Sequence, residues 1–422
     1  MRVGFYFECI KSGGGAYQYA LNLLEALREN KNHDFVVFTI SPDFPFADFN
    51  LPNWKIVNLI PTVGKSETKT EPVKKETAKR RFSTFVRDSL QKLHLYRIEI
   101  FLTTWRAKKR ARILAQENID LMFFHGSSEL SFLISTPSVV PIHDLQHITN
   151  KGFPEVSKLG QWEKREYLYH HIKKTAYRIL VDSPIGKEDI MHYYNVASEK
   201  IIILPPLPPK YLRTEITTGD AKKIIAKFSL PEKFLFYPAQ FWPHKNHLNL
   251  LKAIKLLKDK NEIVPLALSG SRRGHWGAYD KVLKYINENS LGSQTYLLGY
   301  VDNEEMGALY RLATGFIMPT YFGWTNIPLV EAWQMNCPAI YSNVRGCKEQ
   351  AGDAALPIDP DSPDEMAEKI HLFWNDAELR KGLALKGQKR LSLWTKNDYN
   401  VTITRIIEDR QKSLSMNNQK SQ

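Results

Sequence analysis

Short apolar runs alternate along this chain with longer stretches whose apolar residues fall three or four positions apart. Runs of that kind read as buried parallel strands, and the stretches between them as helices that cross from one strand to the next. In the first half the pattern predicts strands over Val3–Phe7, Phe35–Thr39, Lys55–Leu59, Leu121–Phe124, Ser138–Ile142 and Arg178–Val181, with a helix over Ala16–Glu29. The second half repeats the rhythm. Strands are predicted over Phe234–Tyr237, Val264–Ser269, Thr295–Leu298, Gly315–Met318 and Pro338–Tyr341. Helices are predicted over Asn246–Lys258, Tyr279–Asn289, Asn303–Ala313 and Pro328–Met335. The class expected is α/β, in two halves.

Pro205-Pro206-Leu207-Pro208-Pro209 lies between the halves, and a proline run continues neither a helix nor a central strand. It reads as a stiff connection, with the boundary near residue 212. The expected organisation is 1–212, then 213–387, a helix over 388–411 that crosses back, and a frayed tail over 412–422. Two such halves imply a ligand cleft at the carboxyl ends of their strands.

Composition changes this picture in two places. Of 422 residues, 43% are hydrophobic and 24% charged, which excludes wholesale disorder. Three scattered cysteines, Cys9, Cys337 and Cys347, suggest neither a disulfide framework nor a zinc site, and read as a reduced, cytoplasmic chain. No apolar run approaches a membrane span, and the opening run is too short for a signal-peptide core. The net charge is +13, and 65–112 holds 15 Lys or Arg against 5 Asp or Glu, so most of the excess sits there. The first part of that segment, Lys65–Lys79, reads as a polar loop, and its second, Arg81–Arg112, with Phe82, Phe85, Phe101 and Trp105 interleaved, as a basic amphipathic helix able to lie on an anionic membrane surface. A solvated helix packed on its own domain is the alternative. Nucleic acid is not the expected partner.

Four segments carry candidate chemistry. Gly13-Gly14-Gly15, between the first strand and first helix, lets a backbone approach an anion at the helix start. It lacks the Gly-Lys-Ser ending of a phosphate-binding loop. His143-Asp144 follows a strand, where a neutral imidazole is placed to hydrogen-bond a sugar hydroxyl. In Gln240-Phe241-Trp242-Pro243-His244-Lys245, the lysine lies near a helix start and would seat a phosphate. In Gly323-Trp324-Thr325-Asn326-Ile327-Pro328-Leu329-Val330-Glu331, a polar loop leads into a helix whose first turn is expected to hold Glu331, able to accept from both ribose hydroxyls.

Taken in order, these segments resemble the retaining GT-B glycosyltransferases of family 4, the glycosyl transferases group 1, in their bacterial surface-polysaccharide form. The resemblance is strongest over 235–360. It implies two Rossmann-like domains, the first for the acceptor and the second for the donor. It also implies that Gly14 and Gly15 cradle the donor diphosphate and that His143 reaches the donor sugar. Gln240 and Lys245 would then clamp the diphosphate, and Glu331 would grip the ribose. Two positions depart from the family pattern. A first glutamate would fall at 323, which is glycine, and the clamp arginine is replaced by Gln240. The amides of Asn326 and Ile327 and the Thr325 hydroxyl are expected to stand in for the glutamate.

The reaction implied is transfer of a sugar from a nucleoside-diphosphate donor to a hydroxyl of a glycan or lipid-linked acceptor, with retention. No metal or other cofactor is expected, and Asp359-Pro360-Asp361 reads as a structural turn. The expected location is cytoplasmic, at the inner membrane face. Alternatives are a GT-B nucleotide-sugar epimerase or phosphorylase, and a non-catalytic binding protein.

Overall fold

The computed structural model describes residues 1–11, 14–59, 93, 95–213, 217–272 and 275–420. The chain forms two compact units. The first comprises 1–152, 156–203 and 400–422, and the second comprises 153–155 and 204–399.

The first unit is built on seven parallel strands: β1 (Arg2–Phe7), β2 (Asp34–Thr39), β3 (Trp54–Asn58), β4 (Leu121–Phe124), β5 (Ser138–Pro141), β6 (Arg178–Val181) and β7 (Ile201–Ile203). Their order is β3-β2-β1-β4-β5-β6-β7. The second has six: β8 (Leu235–Pro238), β9 (Leu266–Ser269), β10 (Thr295–Gly299), β11 (Gly315–Met318), β12 (Ala339–Ser342) and β13 (Leu356–Ile358). Their order is β10-β9-β8-β11-β12-β13. In each sheet the winding reverses beside the first strand, between β1 and β4 and between β8 and β11. The loops leaving those strands part there and open a crevice at the carboxyl edge.

The strands form where the sequence runs apolar because both faces of each sheet are covered. Phe5, Phe7, Val37 and Phe123 are buried in the first sheet, and Leu235, Phe236, Ile317 and Ile340 in the second. The helix His247–Asp259 buries Leu250, Leu251, Ile254 and Leu257, a spacing of one helical face. Each such side chain contributes about 1.5–3 kcal/mol on leaving water.

The proline run is not a free linker. Leu204, Leu207 and Leu212 are buried, and the Trp394 indole donates to the Pro205 carbonyl at 3.0 Å. The division therefore falls at 203/204, ahead of the prolines, and not near 212. The expected helix over 388–411 is two helices, Ala377–Leu391 and Lys396–Lys420. The break follows from Thr395, whose hydroxyl and amide both donate to the Asp398 carboxylate and start the second helix. That helix continues through the stretch expected to fray, and Ile403, Ile406 and Ile407 anchor it.

Of the basic segment, the helix Tyr96–Ala115 is described, whereas 65–92, with Phe82 and Phe85, lies outside the described residues. The helix rests on Thr104, Ala107, Ala111 and Leu114. Phe101 and Trp105, one turn apart, are 66% and 62% exposed, with Ile98 beside them. Among the described residues no helix is long and apolar enough to cross a membrane.

Candidate functional site

The crevice between β8 and β11 gathers most of the sequence-predicted donor residues. Lys245 closes the short turn Pro243–Lys245 after β8. Asn246 follows in the left-handed conformation (φ 59°), which turns the chain into the helix His247–Asp259. The Lys245 ammonium donates to Asn326 Oδ1 at 3.3 Å, and Asn326 lies in the loop after β11. One bond thus spans the crevice. Burial pushes the Lys245 amine down to about 8, with Cys347 and Glu155 acting weakly the other way.

Asn326 is held at every polar atom. Its amide N–H donates to Gln350 Oε1 at 2.8 Å, and its carbonyl accepts from Gln350 Nε2 at 3.0 Å. Its side-chain amide donates to the Tyr341 hydroxyl at 2.6 Å and points to Cys347 Sγ at 3.6 Å. Gln350 grips the asparagine backbone as a neighbouring strand would, and so fixes the partner of Lys245.

Gly323 explains one departure from the family pattern. Its φ is 148°, and a Cβ there would lie 2.3 Å from Asn326 Nδ2. The place where a glutamate would begin is filled by the asparagine amide. Gln240 explains the other in part. Its Oε1 accepts from the Ser271 amide at 2.9 Å, so it ties the loop after β8 to the loop after β9. Thr325 and Ile327 flank Asn326 in the loop, half-buried, with Ile327 opening the helix Ile327–Gln334.

Glu331 is not in the first turn of that helix. The helix begins at Ile327, which puts Glu331 in the second turn, without the expected placing over the free amides. Its carboxylate is 7% exposed and accepts from the Tyr211 hydroxyl at 2.8 Å and the Tyr310 hydroxyl at 2.7 Å. Each oxygen already has a tyrosine donor, which sequence alone gave no means of finding. Burial raises its carboxyl, and the two hydroxyls oppose the rise.

His244, passed over in the sequence reading, donates its backbone amide to Glu155 Oε1 at 2.9 Å and pairs with the same oxygen through Nδ1 at 2.7 Å. Its ring stacks on Phe322, centroids 4.1 Å apart. Its carbonyl accepts from the Tyr321 amide at 2.9 Å, which joins the loops after β8 and β11.

In the first unit, Gly14 caps the helix Gly15–Arg28 with φ 58°, the positive angle that glycine adopts without penalty, and no side-chain cap competes for the first amides. His143 follows β5. Its partner is Asp182, after β6, and not the adjacent Asp144. Nδ1 lies 3.2 Å from the Asp182 carboxylate and Nε2 lies 3.3 Å from the His125 carbonyl. Burial alone would depress the imidazole, yet Asp182 outweighs it and the net shift is upward, which favours the imidazolium over the neutral ring expected from sequence. Asp144 instead pairs with Arg165 and accepts from the Gln146 amide.

No group of three or more His, Cys, Asp or Glu side chains suited to a metal occurs among the described residues. Asp359 accepts from the Asp361 amide, and the intervening Pro360 carbonyl accepts from Asn246 and Asn249, so this pair shapes a turn.

Two parallel α/β units, each with a crevice where its winding reverses, define the GT-B glycosyltransferase fold. Residues 220–390, within the second unit, match the family described as Glycosyl transferases group 1. The O-antigen chain mannosyltransferase B of Escherichia coli is 26% identical over 256 residues, spanning 58% of this chain and 65% of that protein. The serotype-specific mannosyltransferase WbdA of the same species is 24% identical over 265 residues, 58% of this chain but 32% of its own length. The chain thus spans less than two thirds of these relatives. Among solved structures, Anabaena HepE in complex with UDP-glucose has a TM-score of 0.68 at 13% identity, covering 97% of this chain and 100% of that one.

Proposed function

We propose that the protein transfers a mannosyl residue from a nucleoside-diphosphate donor to a hydroxyl of a surface-glycan acceptor, with retention of anomeric configuration. The observation that carries the reading is the buried cation Lys245, held by Asn326 where the second sheet reverses. The mannosyl assignment rests on the names of the two relatives. In this reading the bond from the anomeric carbon to the diphosphate oxygen breaks, and the leaving group takes the electron pair. Lys245 faces the charge that develops there, an electrostatic role. The acceptor oxygen attacks from the face the diphosphate leaves, and its proton passes to the departing phosphate. Gln240, the loop amide of Ile327 and the Thr325 hydroxyl line the donor, whereas the Asn326 amide expected to join them is taken by Gln350. Glu331 lies on the ribose side, Gly14 and Gly15 offer amides to an anion, and His143 is the first unit's candidate for the donor sugar. No resident metal takes part.

The test is a nucleotide-sugar panel that includes GDP-mannose, read by thermal shift and by slow hydrolysis, with and without excess chelator. Stabilisation and hydrolysis by a nucleotide sugar, unchanged in chelator, are expected. A panel without any response would overturn the reading.

The state of Lys245 gives a pH dependence. Its ammonium is the form that binds a diphosphate, and it is half lost at about 8 and declines further above it. Nucleotide affinity of the free protein, followed by calorimetry, is therefore expected to fall as pH rises through about 8. A flat profile would count against the clamp.

We also infer peripheral attachment to the inner membrane face. Phe101 and Trp105 stand exposed on a helix that also exposes Lys108, Lys109 and Arg112. Each such cation near an anionic surface contributes about 1 kcal/mol, screened by salt. Co-sedimentation with phosphatidylglycerol vesicles at low salt, release at high salt, and loss in Phe101→Ser/Trp105→Ser are expected. Equal binding to neutral and anionic vesicles would remove the claim.

A further inference from the structure

Residues 153–155 belong to the second unit, although the residues on either side of them belong to the first. They come from the stretch between β5 and β6, far in sequence from the donor segments. Their contacts fall on the two loops that carry Lys245 and Asn326.

Glu155 meets the first of these loops. Its side chain is 4% exposed, and Oε1 accepts from both the His244 amide, at 2.9 Å, and His244 Nδ1, at 2.7 Å. His244 is the middle residue of the turn Pro243–Lys245. One carboxylate oxygen therefore fixes the backbone and the ring of the residue before the cation. Burial disfavours the carboxylate, yet the His244 bonds outweigh it and hold the carboxyl below its ordinary range, where it is ionised and can only accept. The proton of the shorter bond then lies on His244 Nδ1.

Phe153 meets the second loop. Its ring packs on Tyr321, centroids 5.1 Å apart, and edge-on against Phe322 at 5.5 Å. Phe322 in turn stacks on His244, whose carbonyl accepts from the Tyr321 amide and the Thr320 hydroxyl. Phe153, Phe322 and His244 thus form one run of rings, closed at its far end by Glu155. The Lys245–Asn326 bond forms only while the two loops keep their spacing. At 3.3 Å it already lies at the long end of the usual range, so a small shift of either loop would break it.

We propose that Phe153 and Glu155 are positioning residues of the donor site: by holding the loops after β8 and β11 to each other, they set where the Lys245 ammonium stands. The inference rests on the nucleotide-sugar reading for the word donor, but the hold on the two loops can be measured without any ligand.

Hydrogen exchange of the free full-length protein is followed by mass spectrometry in wild type, Glu155→Ala, Glu155→Gln and Phe153→Leu. Peptides that hold the His244 and Tyr321 amides are expected to exchange about tenfold faster in Glu155→Ala, the loss of one charge-assisted hydrogen bond. Glu155→Gln keeps an acceptor oxygen and is expected to recover most of the protection. GDP affinity is then measured by calorimetry for Glu155→Ala, alone and combined with Lys245→Ala. Alone, the expected loss is about tenfold. In the Lys245→Ala background no cation is left to place, and the further loss is expected to stay below about twofold. Phe153→Leu, which leaves the charged pair intact, is carried through the same cycle with the same expected pattern. Unchanged exchange of both peptides in Glu155→Ala and Phe153→Leu would overturn the proposal. So would equal affinity losses in the two backgrounds, which mark a role in stability alone. Loosened loops in a protein indifferent to every nucleotide would support the hold and sink the nucleotide-sugar reading.

Discussion

Lys245→Ala is expected to lower kcat/KM for the nucleotide sugar by about 10²–10³-fold, with the melting temperature unchanged or raised. The size follows from removing one preorganised group that faces charge developing in the transition state, about 2.7–4 kcal/mol. The sign on stability follows from the desolvated amine, whose burial as a cation disfavours folding and which the variant removes. Asn326→Ala is expected to cost less, since it leaves the cation in place but unanchored. Initial rates across donor concentration separate the cases. Lys245→Ala should reduce kcat, whereas Asn326→Ala should act mainly through KM. Near-native turnover in Lys245→Ala would mean that the cation does not meet the leaving group.

The second large effect is on stability. Glu331→Ala is expected to leave the Tyr211 and Tyr310 hydroxyls without their carboxylate in a buried setting. Each unsatisfied group costs about 1–3 kcal/mol, so the melting transition should fall by several degrees or more. Glu331→Gln keeps the shape and one acceptor oxygen, and is expected to fold while losing about tenfold in nucleotide affinity, as for one charge-assisted hydrogen bond. A glutamine variant with unchanged nucleotide affinity would make Glu331 a structural partner of the two tyrosines alone. The carboxyl's upward shift also sets a sign with pH: its contribution to stability is present below the ordinary carboxylate range and is lost as pH rises through the raised value.

The strands buried on both faces were legible because parallel sheets demand unbroken apolar runs, and the long helices because one face must be apolar. Ile201–Ile203 and Leu356–Ile358 were not read as strands. Each has three residues and sits at the end of its sheet, where one neighbour is enough to hold it. The loops that hold Lys245, Asn326 and Glu331 were visible as polar interruptions after apolar runs. Their partners were not. Asp182 lies 39 residues from His143, Glu155 lies 89 from His244, and Tyr211 lies 120 from Glu331. Pairings of that separation are set by strand order, which periodicity does not encode. For the same reason, the acid next to His143 in sequence is not its partner. The acid beside it in sequence, Asp144, is taken by Arg165, and the acid beside it in space comes from the next strand.

The return of the last helix to the first unit bears on the order in which the molecule is made. Thr404 donates to Asn30 across 374 positions, and Arg410 donates to the Asp120 carbonyl across 290. A chain emerging from the ribosome has every strand described above before it has this helix. Completion of the amino-terminal unit is therefore expected to wait for this helix. Until residues past 400 are released, the surface that receives Ile403 and Ile407 stays uncovered, and the first unit is the last to be finished.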